Sequence, residues 1–278
     1  MNSEVDFSQD KHFQALLARK PCSLTMINLE IARDAYPELD FAGTLDWFDQ
    51  RQQELAGHFR GMHSEQEQLD VLARSISMDY EITGSETAYR TADGSFLNRV
   101  IETGQGIPIS LSLLYMELSN RLGLTLSGVS SPLHFLTMVE TATGPIFLDG
   151  YSDGRQLTED EAADWLSDLT QMRRDQVERS LEPADDRTIV IRMLNNLRTF
   201  YAGNEDWSSA WKVQNRLVAL SPASYPLRRD LALIAFKAQH SATAARLLKS
   251  LLNSCPDEDR EFLTSQLEEA QQDIPRWN

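Results

Sequence analysis

Apolar side chains recur at three- and four-residue spacing through four segments of the first eighty residues. These are "DKHFQALLARK", "LTMINLEIARDAYP", "TLDWFDQRQQELAGHF" and "EQEQLDVLARSISMDY". That spacing gathers the apolar groups into one stripe of a helix, so the pattern predicts four helices. Pro37 stops the second, because proline lacks the amide hydrogen that a continuing helix needs. The pattern then lapses. "EITGSETAYRTADGS" is polar and rich in Gly, Ser and Thr, and reads as a loop. "FLNRVIETG" restores a short helix that ends at Gly104.

"GQGIPISLSLLYMELSNRLGL" follows. Pro108 suits the first turn of a helix and Gly123 the position just past its end. The stretch from Leu111 to Leu122 is mostly apolar, which predicts a buried helix. Three short runs, "LTLSGVS", "HFLTMVE" and "PIFLDGY", read as strands, the last two joined by the turn "TATGP". Thr158 with Glu161 three residues on forms a capping box for a helix "EDEAADWLSDL". The charged stretch "QMRRDQVERSLEPADDR" then reads as a boundary.

Beyond that stretch the helical pattern repeats. Leu197 recurs as Leu231, Ala210 as Ala244, Leu217 as Leu251 and Pro222 as Pro256, each 34 residues apart. This is the period of tetratricopeptide helix pairs. Two repeats and a last helix, "DREFLTSQLEEAQQ", are visible. The fold class expected is α+β. A mostly helical N-terminal domain with a small antiparallel sheet, residues 1–170, precedes an α-helical hairpin array, residues 186–274.

The net charge of −16 changes the functional picture. It argues against non-specific binding to nucleic acid or to anionic membrane, which attract basic surfaces. "MNSEVDFSQDKHF" has no basic start and no apolar stretch, so no signal peptide is expected. The longest apolar helical run, "IPISLSLLYMEL", is broken by serines and Glu117, too short for a membrane span. Cys22 and Cys255 lie far apart with no CxxC, as suits two reduced thiols in a cytoplasmic protein.

Candidate chemistry sits in the two paired runs. His134 opens one and Asp149 closes the other, so a hairpin brings them together, with Asp149 accepting a hydrogen bond from the imidazole. His and Asp are two thirds of a nucleophilic triad. A helix, a strand with His and a strand with Asp is the order of papain-like and transglutaminase-like cores. These place a cysteine at the helix start, where the helix dipole lowers the thiol pKa. "LNRVIETGQGIPISLSLLYMELSNRLGLTLSGVSSPLHFL" and "IFLDGYSDGRQL", with "LEIARDAYPELD" and "RMLNNLRTFYAGNEDWSSAWKVQNRLVALSP", resemble the SirB-type bacterial proteins. These join a transglutaminase-like domain to tetratricopeptide repeats. The resemblance covers most of the chain. Its departures are Gly104 for the usual Arg, Leu133 for Gly, and Asp149-Gly150-Tyr151 for Asp-Pro-Phe. Laying the enzymes' Gly-x-Cys start on Gly106 puts Pro108 at the cysteine position.

The resemblance therefore implies a non-catalytic, pseudo-enzyme domain in a protein–protein interaction role. Ser110 is the alternative nucleophile, and with His134 and Asp149 would make a hydrolase or acyltransferase. Cys22 is a second substitute, though it precedes a helix that reads as packing. A metal on His134 and Asp149 would lack ligands, and His58 and His63 read as solvent-facing. No cofactor or metal is expected. The His–Asp pair also reads as a satisfied polar pair orienting two strands, while Asn98 and Arg99 either line the same cleft or are solvated. In the repeats, setting Pro222 at the terminal proline position puts the groove on Arg192, Asn195 and Thr199, then on Arg229, Leu233, Phe236 and Lys237. These positions are basic and apolar with no acid. They suit an acidic peptide or a C-terminal carboxylate; the other reading is a face packed on the acidic N-terminal domain.

Overall fold

Serine caps open two of the first helices. Ser23 and Ser64 accept the amides of Met26 and Glu67, satisfying donors that a helix start leaves free. The computed structural model describes residues 11–20, 22–62 and 64–274. These fall into two compact units, residues 15–193 and residues 194–274 with 11–14. The N-terminal segment expected to lack a signal peptide lies largely outside the described residues, as does His63.

The helices expected from spacing are α1 (Lys11–Ala18), α2 (Leu24–Ala32), α3 (Ala42–Phe59) and α4 (Glu65–Arg74). α2 stops short of Pro37. Turns through Tyr36 complete the run, because the residue before a proline is pushed out of the helical region. α4 passes into a wider π turn at Ser75–Asp79. The segment read as a loop contains two 3-10 turns, Glu86–Arg90 and Ala92–Ser95. It also contains β1 (Thr83–Gly84), which pairs in parallel with β2 (Gln105–Gly106). Between them lies α5 (Leu97–Thr103), ended by Gly104 in the left-handed region at φ 69°, where a side chain would be strained.

α6 (Pro108–Arg121) is the buried helix foreseen, with Leu111, Leu113, Leu114, Tyr115 and Leu118 all inside. Gly123 follows it at φ 89°. The sheet is antiparallel and four-stranded: β3 (Ser127–Val129), β4 (Leu136–Thr141), β5 (Gly144–Asp149) and β6 (Arg155–Leu157), in that order. Thr137 pairs with Leu148 and Val139 with Ile146. The fourth strand has no counterpart in the sequence reading. α7 (Glu159–Thr170) begins at the foreseen capping box, with Thr158 and Glu161 bonding reciprocally. It packs Ala162, Ala163 and Leu166 against Leu136, Met138 and Phe147 of the sheet. The charged stretch carries α8 (Arg174–Glu178), and its Val177 and Leu181 join this same core.

The repeat pattern gives α9 (Asp186–Gly203), α10 (Trp207–Leu220), α11 (Tyr225–Lys237), α12 (Ser241–Leu251) and α13 (Asp257–Gln272). α9 begins in the first unit and ends in the second. The recurring pairs are core positions: Leu197 with Leu231, Ala210 with Ala244 and Leu217 with Leu251 are all buried. The chain is thus α+β, a helical core with a small antiparallel sheet followed by helical hairpins.

Candidate functional site

The β4–β5 hairpin brings His134 and Asp149 together. Imidazole Nε2 lies 2.8 Å from Asp149 Oδ1. The carboxylate is fully enclosed and the imidazole 8% exposed. Asp149 also accepts the Tyr151 amide at 3.0 Å and the Ser152 hydroxyl at 2.8 Å. Burial alone would raise the Asp149 carboxyl. The hydrogen bond and charge of His134, with those two further donors, outweigh it and hold the carboxyl below the ordinary aspartate range. Trp165 stands edge-on to the imidazole at 4.9 Å between centroids, and Tyr151 at 6.1 Å. His134 Nδ1 makes no hydrogen bond among the described residues. An imidazole oriented by a buried carboxylate through one nitrogen, with the other unengaged, is arranged to exchange a proton with a neighbouring group.

That neighbour would come from the start of α6. Pro108 is its first residue, and has no side-chain donor. Ser110 is fully buried, and its hydroxyl is committed elsewhere. It meets the Gly94 carbonyl at 2.5 Å and the Ile107 carbonyl at 3.0 Å, and accepts the Ile107 amide at 3.1 Å. The structure joins His134 to Asp149 and gives Ser110 no hydrogen bond to either. Ser112 ties the helix to the sheet instead, donating to the Phe135 carbonyl at 3.4 Å. The Tyr115 phenol is buried without a partner, its pKa raised by burial and then by Asp153 and Asp149.

The other candidates lie elsewhere. Cys22 lines a cleft of about 360 Å³ with Thr25, Glu117 and Asp186, a cleft not lined by His134 or Asp149. Burial, then Asp186, raises its thiol pKa, the reverse of activation. Cys255 is buried and free. His58 is exposed near the end of α3. Arg99 pairs with Asp93 and Glu102, and Asn98 Oδ1 is buried without a partner. Among the described residues no group of three or more His, Cys, Asp or Glu could hold a metal ion, and no helix is long and apolar enough to cross a membrane. The aromatic surround of His134 went unread in the sequence. At Gly84 a Cβ would fall 2.1 Å from the Tyr151 carbonyl, so glycine admits the close approach of β1 to this aromatic turn.

Comparison with known proteins fits this arrangement. Residues 44–195 match the family described as transglutaminase-like superfamily, and residues 197–268 match tetratricopeptide repeat. A UPF0162 protein of Xylella fastidiosa is 31% identical over 239 residues, 82% of each chain. Protein SirB1 of Salmonella typhimurium is 25% identical over 195 residues, 70% of this chain and 72% of its own. The chain belongs to the SirB-type transglutaminase-like family. UPF0162 protein YchA of Escherichia coli K12 is also similar, 24% identical over 193 residues, covering 69% of this chain and 72% of YchA. No solved structure matches.

In this SirB-type chain the repeat-groove candidates divide. Asn195 is half-buried and Thr199 exposed on α9. Arg229, Leu233, Phe236 and Lys237 lie on α11. The candidate positions themselves hold no acid, but α13 brings one to Arg229. Arg229 Nε lies 3.7 Å from Asp259 Oδ2, and the guanidinium stands over Phe262 at 5.7 Å. Lys237 Nζ sits 4.1 Å from the Trp207 ring centre. Arg192 counts in the first unit, with its Nε buried and without a hydrogen bond.

Proposed function

We propose that this protein is a non-catalytic member of its family, a pseudo-enzyme that works by binding a protein partner. One observation carries the reading. The His134–Asp149 pair is intact with Nδ1 unengaged, while α6 starts at Pro108 and the Ser110 hydroxyl is consumed by Gly94 and Ile107. A base without a nucleophile cannot run acyl transfer. The tetratricopeptide match supports a protein partner, since stacked repeats offer extended binding surfaces. Lys237, with Asn195 and Phe236, supports an acidic peptide as its ligand. The net charge of −16 supports a partner that is neither nucleic acid nor an anionic membrane. Two unpaired thiols support a cytoplasmic location.

Covalent probes test this. Fluorophosphonate and iodoacetamide labelling should be the same in wild type and in His134→Ala. A Cys22→Ala, Cys255→Ala double variant should keep partner binding. Labelling of Ser110 that disappears in His134→Ala would replace the reading with a serine hydrolase or acyltransferase.

A further inference from the structure

Arg192 makes no ion pair or hydrogen bond in the interactions described, and its Nε is enclosed. The chain carries 42 acidic residues against 26 basic ones. Yet no acid acts on this half-buried guanidinium among the described residues; burial lowers its pKa and only the Tyr89 phenol opposes that. Partial removal of a cation from water without a counter-charge is unfavourable, and a bound anion would offset it.

The surroundings describe that anion. Tyr89 is 52% exposed and stands edge-on to Tyr151 at 6.1 Å. Tyr151 in turn stands edge-on to His134 at 6.1 Å, on the ring whose Nδ1 is unengaged. Leu133, just before His134, is 69% exposed and sits at φ 60°, an unfavourable backbone for a branched side chain on an open surface. Within residues 15–193 the Tyr89, Tyr151 and His134 rings form one run, Arg192 acts on its Tyr89 end, and Leu133 adjoins its His134 end in sequence. A planar fork suits a carboxylate. A phosphate dianion would carry more charge than one guanidinium balances, at a site where Asp149 as well as Arg192 acts on Tyr89.

We propose that Arg192 and Tyr89 bind a carboxylate, with Tyr151, Leu133 and His134 receiving the peptide chain that carries it. This deepens the reading above and rests on it only in that the site binds without turnover. The carboxylate could be a chain terminus or an acidic side chain. Full-length protein is titrated with acetyl-Phe-Gly, whose carboxylate is terminal, with acetyl-Glu-Phe-amide, whose carboxylate is on the side chain, and with inorganic phosphate. The readouts are calorimetry and the NMR resonance of the Arg192 Nε–H. One or both peptides should shift that resonance, and which one does identifies the source. Arg192→Gln should weaken binding about tenfold or more, Arg192→Lys should restore part of it, and Tyr89→Phe should weaken it less. Unliganded Arg192→Gln should melt no lower than wild type, since it removes an unpaired charge. The proposal is overturned if neither peptide binds, if phosphate alone does, if Arg192→Gln binds like wild type, or if that variant melts well below it. Mass spectrometry of the same mixtures is a separate readout: peptide cleavage or transfer would end the non-catalytic reading and leave the binding site standing.

Discussion

His134 and Asp149 were legible because a hairpin with a turn between two apolar runs forces its flanks together. The pairing of Arg192 with Tyr89 proposed above was not. Helical register marks Arg192 only as a groove position, and Tyr89 lies in a polar stretch with no period to interpret. At the pair, the direction of the Asp149 shift fixes a pH dependence. Its folded value is below its unfolded one, so its stabilisation is complete above the unfolded value of about 3.9. It is lost as the pH falls through the folded value. Asp149→Ala should strand the donors of His134, Tyr151 and Ser152, costing about 3 kcal/mol, and should remove this part of the acid-range dependence. Thermal melts of both proteins from neutral to acid pH measure it; an unchanged acid profile would show the shift misassigned. Leu133 at φ 60° gives the opposite sign. Leu133→Gly should relieve left-handed strain and raise stability by about 1 kcal/mol, read as a higher melting temperature.

Elements were readable where the chain punctuates itself. Gly104, Gly123 and the Thr158–Glu161 box each end or begin a helix as expected. β1 and β2 were missed because two residues are too few to show alternation, and β6 because Arg155-Gln156-Leu157 lies in no apolar run. They exist through their partners: Thr83 pairs with Gln105, and Phe147 with Leu157. The start of α6 shows how one side chain can serve an element. The Gly94 carbonyl accepts both the Ile107 amide at 3.1 Å and the Ser110 hydroxyl. Ser110 therefore fixes the turn Ala92–Ser95 to the helix. Ser110→Ala should cost about 1–2 kcal/mol and leave the NMR signals of the His134 ring unmoved. A stable Ser110→Ala protein whose imidazole signals shift would place the serine in the site after all.

At the scale of the molecule, the 34-residue period was the strongest message in the chain, because three of its four recurring pairs are core positions on consecutive hairpins. What the period could not disclose is the acid that α13 brings to α11. Arg229 and Lys237 look alike in sequence and differ in the fold. Arg229 faces Asp259 across 3.7 Å, with side chains 36% and 20% exposed, so part of its charge is used inside the repeat unit. Lys237 is exposed and meets only the Trp207 ring in the interactions described. Arg229→Glu sets two carboxylates against each other at a partly exposed position, and should lower stability by about 1 kcal/mol. Lys237→Glu gives up one exposed cation–π contact, worth about 0.5–1 kcal/mol, and adds a negative charge where an acidic peptide would dock. Melting curves and calorimetry with a Glu-rich peptide separate the two. If α11 is the docking face, wild-type affinity falls with added salt and Lys237→Glu binds several-fold more weakly. Equal affinity in Lys237→Glu and wild type would remove α11 from the interaction surface.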